Sequence, residues 1–193
     1  MTITTRRIYV ACLASYNNGV LHGAWIDTED MDEEELMNEI REKVLITSRF
    51  PNVEVEWPED SGTMVPSSEE FAIHDHEGYP SGLIGEYTSM SEIASIEEQL
   101  SELSSDDEIE AFMIFVNQVT GSDLTDVTVA QFRDAYRGKW DSTKDFAEDW
   151  AVDVGMIKED HPMFSYIDWE HYWSGDLRHN GFQEENGHIF FYQ

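Results

Sequence analysis

From Phe50 to Phe132 run 83 residues without a single Lys or Arg, and 19 of them are Asp or Glu. Such a stretch folds only if regularly spaced apolar side chains outweigh the self-repulsion and the carboxylates stay in water. The imbalance is general: 193 residues carry 41 Asp+Glu against 11 Lys+Arg, a net charge of −30. That density argues strongly against a nucleic-acid binder, which must neutralise phosphates with Lys and Arg. It also speaks against docking on anionic membrane surfaces, which attract basic segments. Disorder is the next alternative, since high charge with few apolar residues cannot offset chain entropy. Leu, Ile, Val and Phe number 45 of 193, above the disordered range of under ~20%. Six Trp, eight Tyr and ten Phe add large buriable side chains. The expectation is a folded, strongly anionic protein.

One cysteine, Cys12, cannot form an internal disulfide, which points to a reducing compartment. No stretch approaches the ~18 apolar residues of a membrane helix. Arg6 and Arg7 precede the apolar run Ile8–Ala14, but that run has the minimum length for a signal sequence and leads into Tyr16-Asn17-Asn18-Gly19. A strand and turn in a cytoplasmic protein is the expectation.

Residues 6–15 and 20–26 read as strands of a β-hairpin turning at Asn17-Asn18-Gly19. A helix follows over 31–46, with Leu36, Ile40 and Val44 four apart and Asp30, Asp32, Glu33, Glu34 and Glu35 crowding its start. Val53–Trp57 alternates with period two, Phe71–Ile73 is a short strand, and 58–68 is a Pro/Gly/Ser loop. From Tyr87 helices take over. Ser91 serves as a cap before Ile93, Ile96, Leu100 and Leu103, and Ser105–Glu108 forms a capping box before Ile109, Phe112, Met113, Val116 and Val119. Gly121 closes that helix. Further helices run from Thr128 to Gly138, from Ser142 past Phe146 and Trp150 to Gly155, and over Tyr166–Leu177; His188–Tyr192 is a closing strand. The fold class is α+β in three small domains: 1–88, β-rich with a helix; 89–131, helical; 132–193, α+β.

The carboxylates sit on the polar faces of these elements, so the charge is displayed on a folded surface. The acidic surface so displayed comprises Asp27, Glu29, Asp30, Asp32, Glu33, Glu34, Glu35 and Glu39 in the first helical region, and Glu54, Glu56, Glu59 and Asp60 around the next strand. It continues through Glu92, Glu97, Glu98, Glu102, Asp106, Asp107, Glu108 and Glu110 in the middle helices, then Asp145, Glu148, Asp149 and Asp153 in the C-terminal third. Duplex DNA carries one charge per about 1.7 Å, so 30 charges correspond to about 50 Å, or roughly 15 base pairs. The bland alternatives are a generally solvated surface or a halophilic protein whose acids serve folding in brine; the excess of Glu (24) over Asp (17) and the wealth of aromatics lean away from brine.

Signals for catalysis are weak. His74-Asp75-His76 has strand spacing that puts both imidazoles on one side, where a metal-dependent enzyme would need them. Two polar residues at a strand end are the plainer explanation. Asp27–Asp30 lacks the glycine of a calcium loop, position six being Asp32. No nucleophile elbow, phosphate loop, HExxH or dinucleotide fingerprint occurs. Cys12 reads as a small core residue, and Trp150, Tyr166, Trp169, Tyr172 and Trp173 as core or a subunit contact. No catalytic residue, metal or cofactor is expected.

Several segments nevertheless carry a resemblance. Ile8–Gly19 continuing through Leu21–Asp27, then Glu70–Glu77, Glu86–Ser89 before an Ile-rich helix, and Tyr166–Glu170 with Asp176-Leu177 and a terminal aromatic strand, together resemble ArdA antirestriction proteins, in order and over nearly the whole chain. Residues 51–68 and 119–144 look longer than in that family, and Gly175 stands where the family pattern has an Arg before Asp176-Leu177. The resemblance implies a DNA mimic of mobile genetic elements: an elongated chain of three domains, a homodimer through its C-terminal region, occupying the DNA-binding groove of Type I restriction-modification enzymes. Two chains would present about 60 negative charges, on the order of 30 base pairs.

Overall fold

In a computed structural model the protein is described over residues 5–192; residues 1–4 and 193, at the ends of the first and last expected domains, lie outside. The fold is mixed α and β, and its contacts divide it into two compact units, Met1–Asp106 and Asp107–Gln193. The span 89–131, read as a helical middle domain, is thereby shared between them.

The first unit is built on a three-stranded antiparallel sheet. Strands β1 (Arg7–Cys12) and β2 (Gly23–Asp27) pair as expected, Ile8 opposite Ile26 and Tyr9 opposite Trp25. Their connection is not a tight turn but a short helix, α1 (Leu13–Asn17), after which Gly19 takes φ +74°. Cys12 begins that helix, its Sγ accepting from the Ser15 N–H at 3.4 Å. Helix α2 (Glu33–Ile40) runs on as a π-helical turn over Arg41–Leu45. Leu36, Ile40 and Val44 are fully buried, as their spacing predicts. Strands β3 (Val53–Glu56) and β4 (Met64–Ser67) form a separate hairpin, so the expected loop 58–68 holds a strand. Strand β5 (Phe71–Glu77) pairs with β1, making β1 the centre of the order β2-β1-β5. Helix α3 (Met90–Ser101) is capped by Ser89, not Ser91: the Ser89 hydroxyl accepts from the Glu92 N–H. Ser89 leaves the helix with extended backbone, which a cap requires.

In the second unit α4 (Asp106–Ile114) becomes a π-helix over Phe115–Thr120 and ends at left-handed Gly121. The wider turn shifts the buried face: Phe115 is fully buried, whereas Val119 is only half-buried. Helix α5 (Val129–Ala135) carries a reciprocal cap between Thr128 and Gln131. It stops before Gly138, because Tyr136–Lys139 is strand β6. Helix α6 (Thr143–Asp153) starts at Ser142, and α7 is confined to Trp169–Gly175. Strands β7 (Phe182–Glu185) and β8 (His188–Phe191) complete a sheet of order β6-β8-β7. Phe112, Phe115, Phe132 and Phe190 are wholly buried and pack ring against ring. Phe146, Trp169, Trp173, Phe182 and Ile189 form a second cluster, while Tyr166 is 78% exposed. Among the described residues no helix is long and apolar enough to cross a membrane.

Candidate functional site

The carboxylates lie where each element meets water. In the first unit, Asp27 ends β2 and Asp30 follows with a positive φ, both exposed. Asp32 caps α2: its carboxylate accepts from the Glu35 N–H at 2.9 Å, and Glu35 accepts from the Asp32 N–H at 3.1 Å. Glu33 and Glu34 fill the exposed first turn, where the helix dipole favours anions. Glu54 and Glu56 alternate outward along β3, with Val53 and Val55 turned inward. Asp60 sits at positive φ in the hairpin loop, and Glu59 pairs with Arg41 at 3.3 Å. Glu39 is half-buried beside Lys43, and Glu29 is half-buried, accepting from the Arg6 N–H at 3.0 Å. Glu92, Glu98 and Glu102 line the exposed side of α3. Asp30, Asp32 and Glu33 face Ser95 and Glu98 across an open cleft of about 460 Å³.

Glu97 does not belong to this surface. It is 3% exposed, its Oε2 accepting from Arg6 Nε at 2.8 Å and its Oε1 from Thr28 Oγ1 at 2.8 Å and from the Tyr79 hydroxyl. Burial first, and then Glu97 itself, push the Tyr79 phenol well above its ordinary range. The position on α3 faces β2 and the segment after β5, so an acid is kept there by partners rather than by water. Sequence spacing gives one signal for it: Ile93, Ile96, Glu97 and Leu100 share the inward side.

The second unit shows the same arrangement. Asp106, Asp107 and Glu110 are exposed, with Lys139 bridging Asp107 at 3.7 Å and Glu110 at 3.4 Å. Glu108 is half-buried against Arg133. On α6, Asp145, Asp149 and Asp153 are exposed and Glu148 is half-buried. Behind Glu110 lies His188, fully buried, whose Nδ1 shares a 2.8 Å hydrogen bond with the Tyr136 hydroxyl. Burial, then Lys139, lowers its pKa. Nothing in the sequence distinguishes this histidine from the others.

The cations are largely spent within the protein. Arg6, Arg7, Arg41, Lys43, Arg133 and Lys139 are all held in ion pairs, and Arg137 donates to the carbonyl oxygens of Asp134 and Tyr136. Of the 24 acids expected on the surface, 19 are exposed, four are half-buried and Glu97 is buried. Exposed carboxylates outside that set include Asp75 and Glu77, which flank His76.

The histidine pair does not form a ligand set. Opposite the step from Tyr9 to Val10 the register of β5 slips by one residue, leaving His74 unpaired in a bulge. A bulge breaks the two-residue alternation on which a shared side depends. The His74 ring meets Tyr16 at 5.0 Å and the His76 ring meets Tyr79 at 6.1 Å. Among the described residues no group of three His, Cys, Asp or Glu could hold a metal ion. Cys12 is fully buried, as expected of a core residue.

What the fold and surface define is a small α+β protein with a strongly acidic surface. The family model for antirestriction protein (ArdA) matches residues 8–190, and the chain belongs to the ArdA antirestriction family. A search of the curated proteins finds no match.

Proposed function

We propose that this antirestriction protein is a DNA mimic that occupies the DNA-binding groove of a Type I restriction-modification enzyme. The observation that supports it best is the display of 19 exposed carboxylates from the expected set while six of the eleven Lys and Arg side chains are tied up in ion pairs. A groove shaped to neutralise phosphates meets here a comparable density of negative charge, and its binding releases the counterions that otherwise screen the acids. In this reading no step is catalytic. The protein acts as an elongated homodimer joined through residues 132–193 in the cytoplasm, where two chains present about 60 charges, on the order of 30 base pairs.

The test is displacement of a labelled target duplex from a purified Type I methyltransferase core at two salt concentrations. Displacement at about 50 mM salt should fall by at least tenfold at about 200 mM, as many weak contacts are screened together. Failure of the folded protein to displace DNA at low salt from any Type I core tried would remove the proposal.

A further inference from the structure

The outward side of the first sheet carries more than charge. Pairing sets Arg7 between Asp27 and Glu77, and Tyr9 between Trp25 and Asp75. Ile8, Val10 and Ile26 are fully buried on one face, so alternation turns Arg7, Tyr9 and Trp25 to the other. Tyr9 and Trp25 are half-buried and meet edge to face with centroids 5.5 Å apart; Asp27, Asp75 and Glu77 are exposed. Gly23 keeps the Tyr9 ring close to bare backbone: a Cβ there would stand 2.9 Å from the phenol and 2.3 Å from the Val10 carbonyl oxygen.

This platform already holds a guanidinium. Arg7 lies with its Cζ 4.7 Å from the centre of the Trp25 ring and donates to Glu77 Oε2 from Nε at 2.9 Å and from Nη2 at 2.6 Å. Both partners are open to water, Arg7 at 38% and Glu77 at 44% exposure, and an ion pair so exposed exchanges readily. An arriving arginine would find the same ring, the same carboxylate and two further acids at the rim. Lysine would gain less from the ring and the carboxylate, because its ammonium is compact and strongly hydrated whereas a guanidinium is planar, forked and suited to stacking.

We propose that the Trp25–Tyr9 face is a receptor for an arginine side chain of the partner protein, whose guanidinium replaces Arg7 over Trp25 and pairs with Glu77. It rests on the reading above in that the partner surface is one that ordinarily grips phosphates, where arginine is the preferred residue. The face adds side-chain selectivity to a surface whose remaining carboxylates accept any cation.

The test uses the whole chain and two peptides of equal charge, hexa-arginine and hexa-lysine, titrated by calorimetry at about 0.15 M salt. Wild type should bind hexa-arginine about five- to tenfold more tightly than hexa-lysine. Trp25→Leu, which leaves the net charge unchanged, should bring the two within about twofold, and Trp25→Phe should restore part of the preference. Arg7→Gln vacates the ring and should tighten hexa-arginine binding by more than Arg49→Gln, which removes the same charge at another exposed position. Because no restriction enzyme takes part, the result is independent of the duplex-displacement experiment. An unchanged arginine preference in Trp25→Leu, or equal gains from Arg7→Gln and Arg49→Gln, would overturn the proposal.

Discussion

Replacing Glu97 by Gln tests whether a buried acid is as structural as its surroundings indicate. The change keeps size and leaves one oxygen for the Thr28 and Tyr79 hydroxyls, but it turns amide N–H donors toward Arg6, itself only 11% exposed. The charge-assisted bond lost is worth about 1.5–3 kcal/mol, and a buried cation left wholly unpaired would raise the cost toward ~3–5 kcal/mol. Glu29, 3.8 Å from Arg6 Nη1, takes up part of the loss, which places the expectation near ~3 kcal/mol. A unit of this size unfolds with an entropy of roughly 0.22 kcal/mol/K, so its melting temperature should drop by about 13 °C. Scanning calorimetry of Glu97→Gln beside Glu98→Gln reads the difference, since the exposed neighbour should stay within about ±2 °C of wild type. Equal melting temperatures for the two variants would refute the account of Glu97 as a buried strut.

Other expectations follow from the same geometry. Changing Glu92, Glu98 or Glu102 singly to Gln should weaken duplex displacement by less than about fivefold, and all three together by about tenfold or more; a single change that abolished displacement would contradict a distributed surface. Burial lowers the His188 pKa in the folded protein, so below about 6.5 the unfolded chain binds the proton more readily, and the stability present above that pH is lost as the solution is acidified. Melting curves between pH 7.5 and 5.5 should therefore fall more steeply for wild type than for His188→Phe. Gly23→Ala sets a methyl against the Val10 carbonyl and the Tyr9 ring and should cost about 1–3 kcal/mol in urea denaturation.

Much of the secondary structure is legible in the chain because it depends on near neighbours. The spacing of Leu36, Ile40 and Val44 identifies a buried helix face, and Ser142 and Thr128 mark helix starts that the structure retains. Boundaries that depend on partners are less legible. Strand β4 has Pro66 in its four residues and exists because β3 pairs with it; β6 cuts short a helical pattern because β8 hydrogen-bonds it. The histidine pair shows the same limit, since a one-residue slip against β1 undoes a spacing that looks right on paper.

The sequence by itself determines the sign and density of the charge and, through dispersed blocks of residues, the family. These properties survive any arrangement of the chain that keeps acids in water and apolar residues in the core. Tertiary structure alone decides which carboxylates are free. Glu97 and Glu98 are adjacent in sequence, yet one is locked to Arg6, Thr28 and Tyr79 while the other faces solvent. The difference is a single step of about 100° around a helix, and its consequence depends on what has packed against each side.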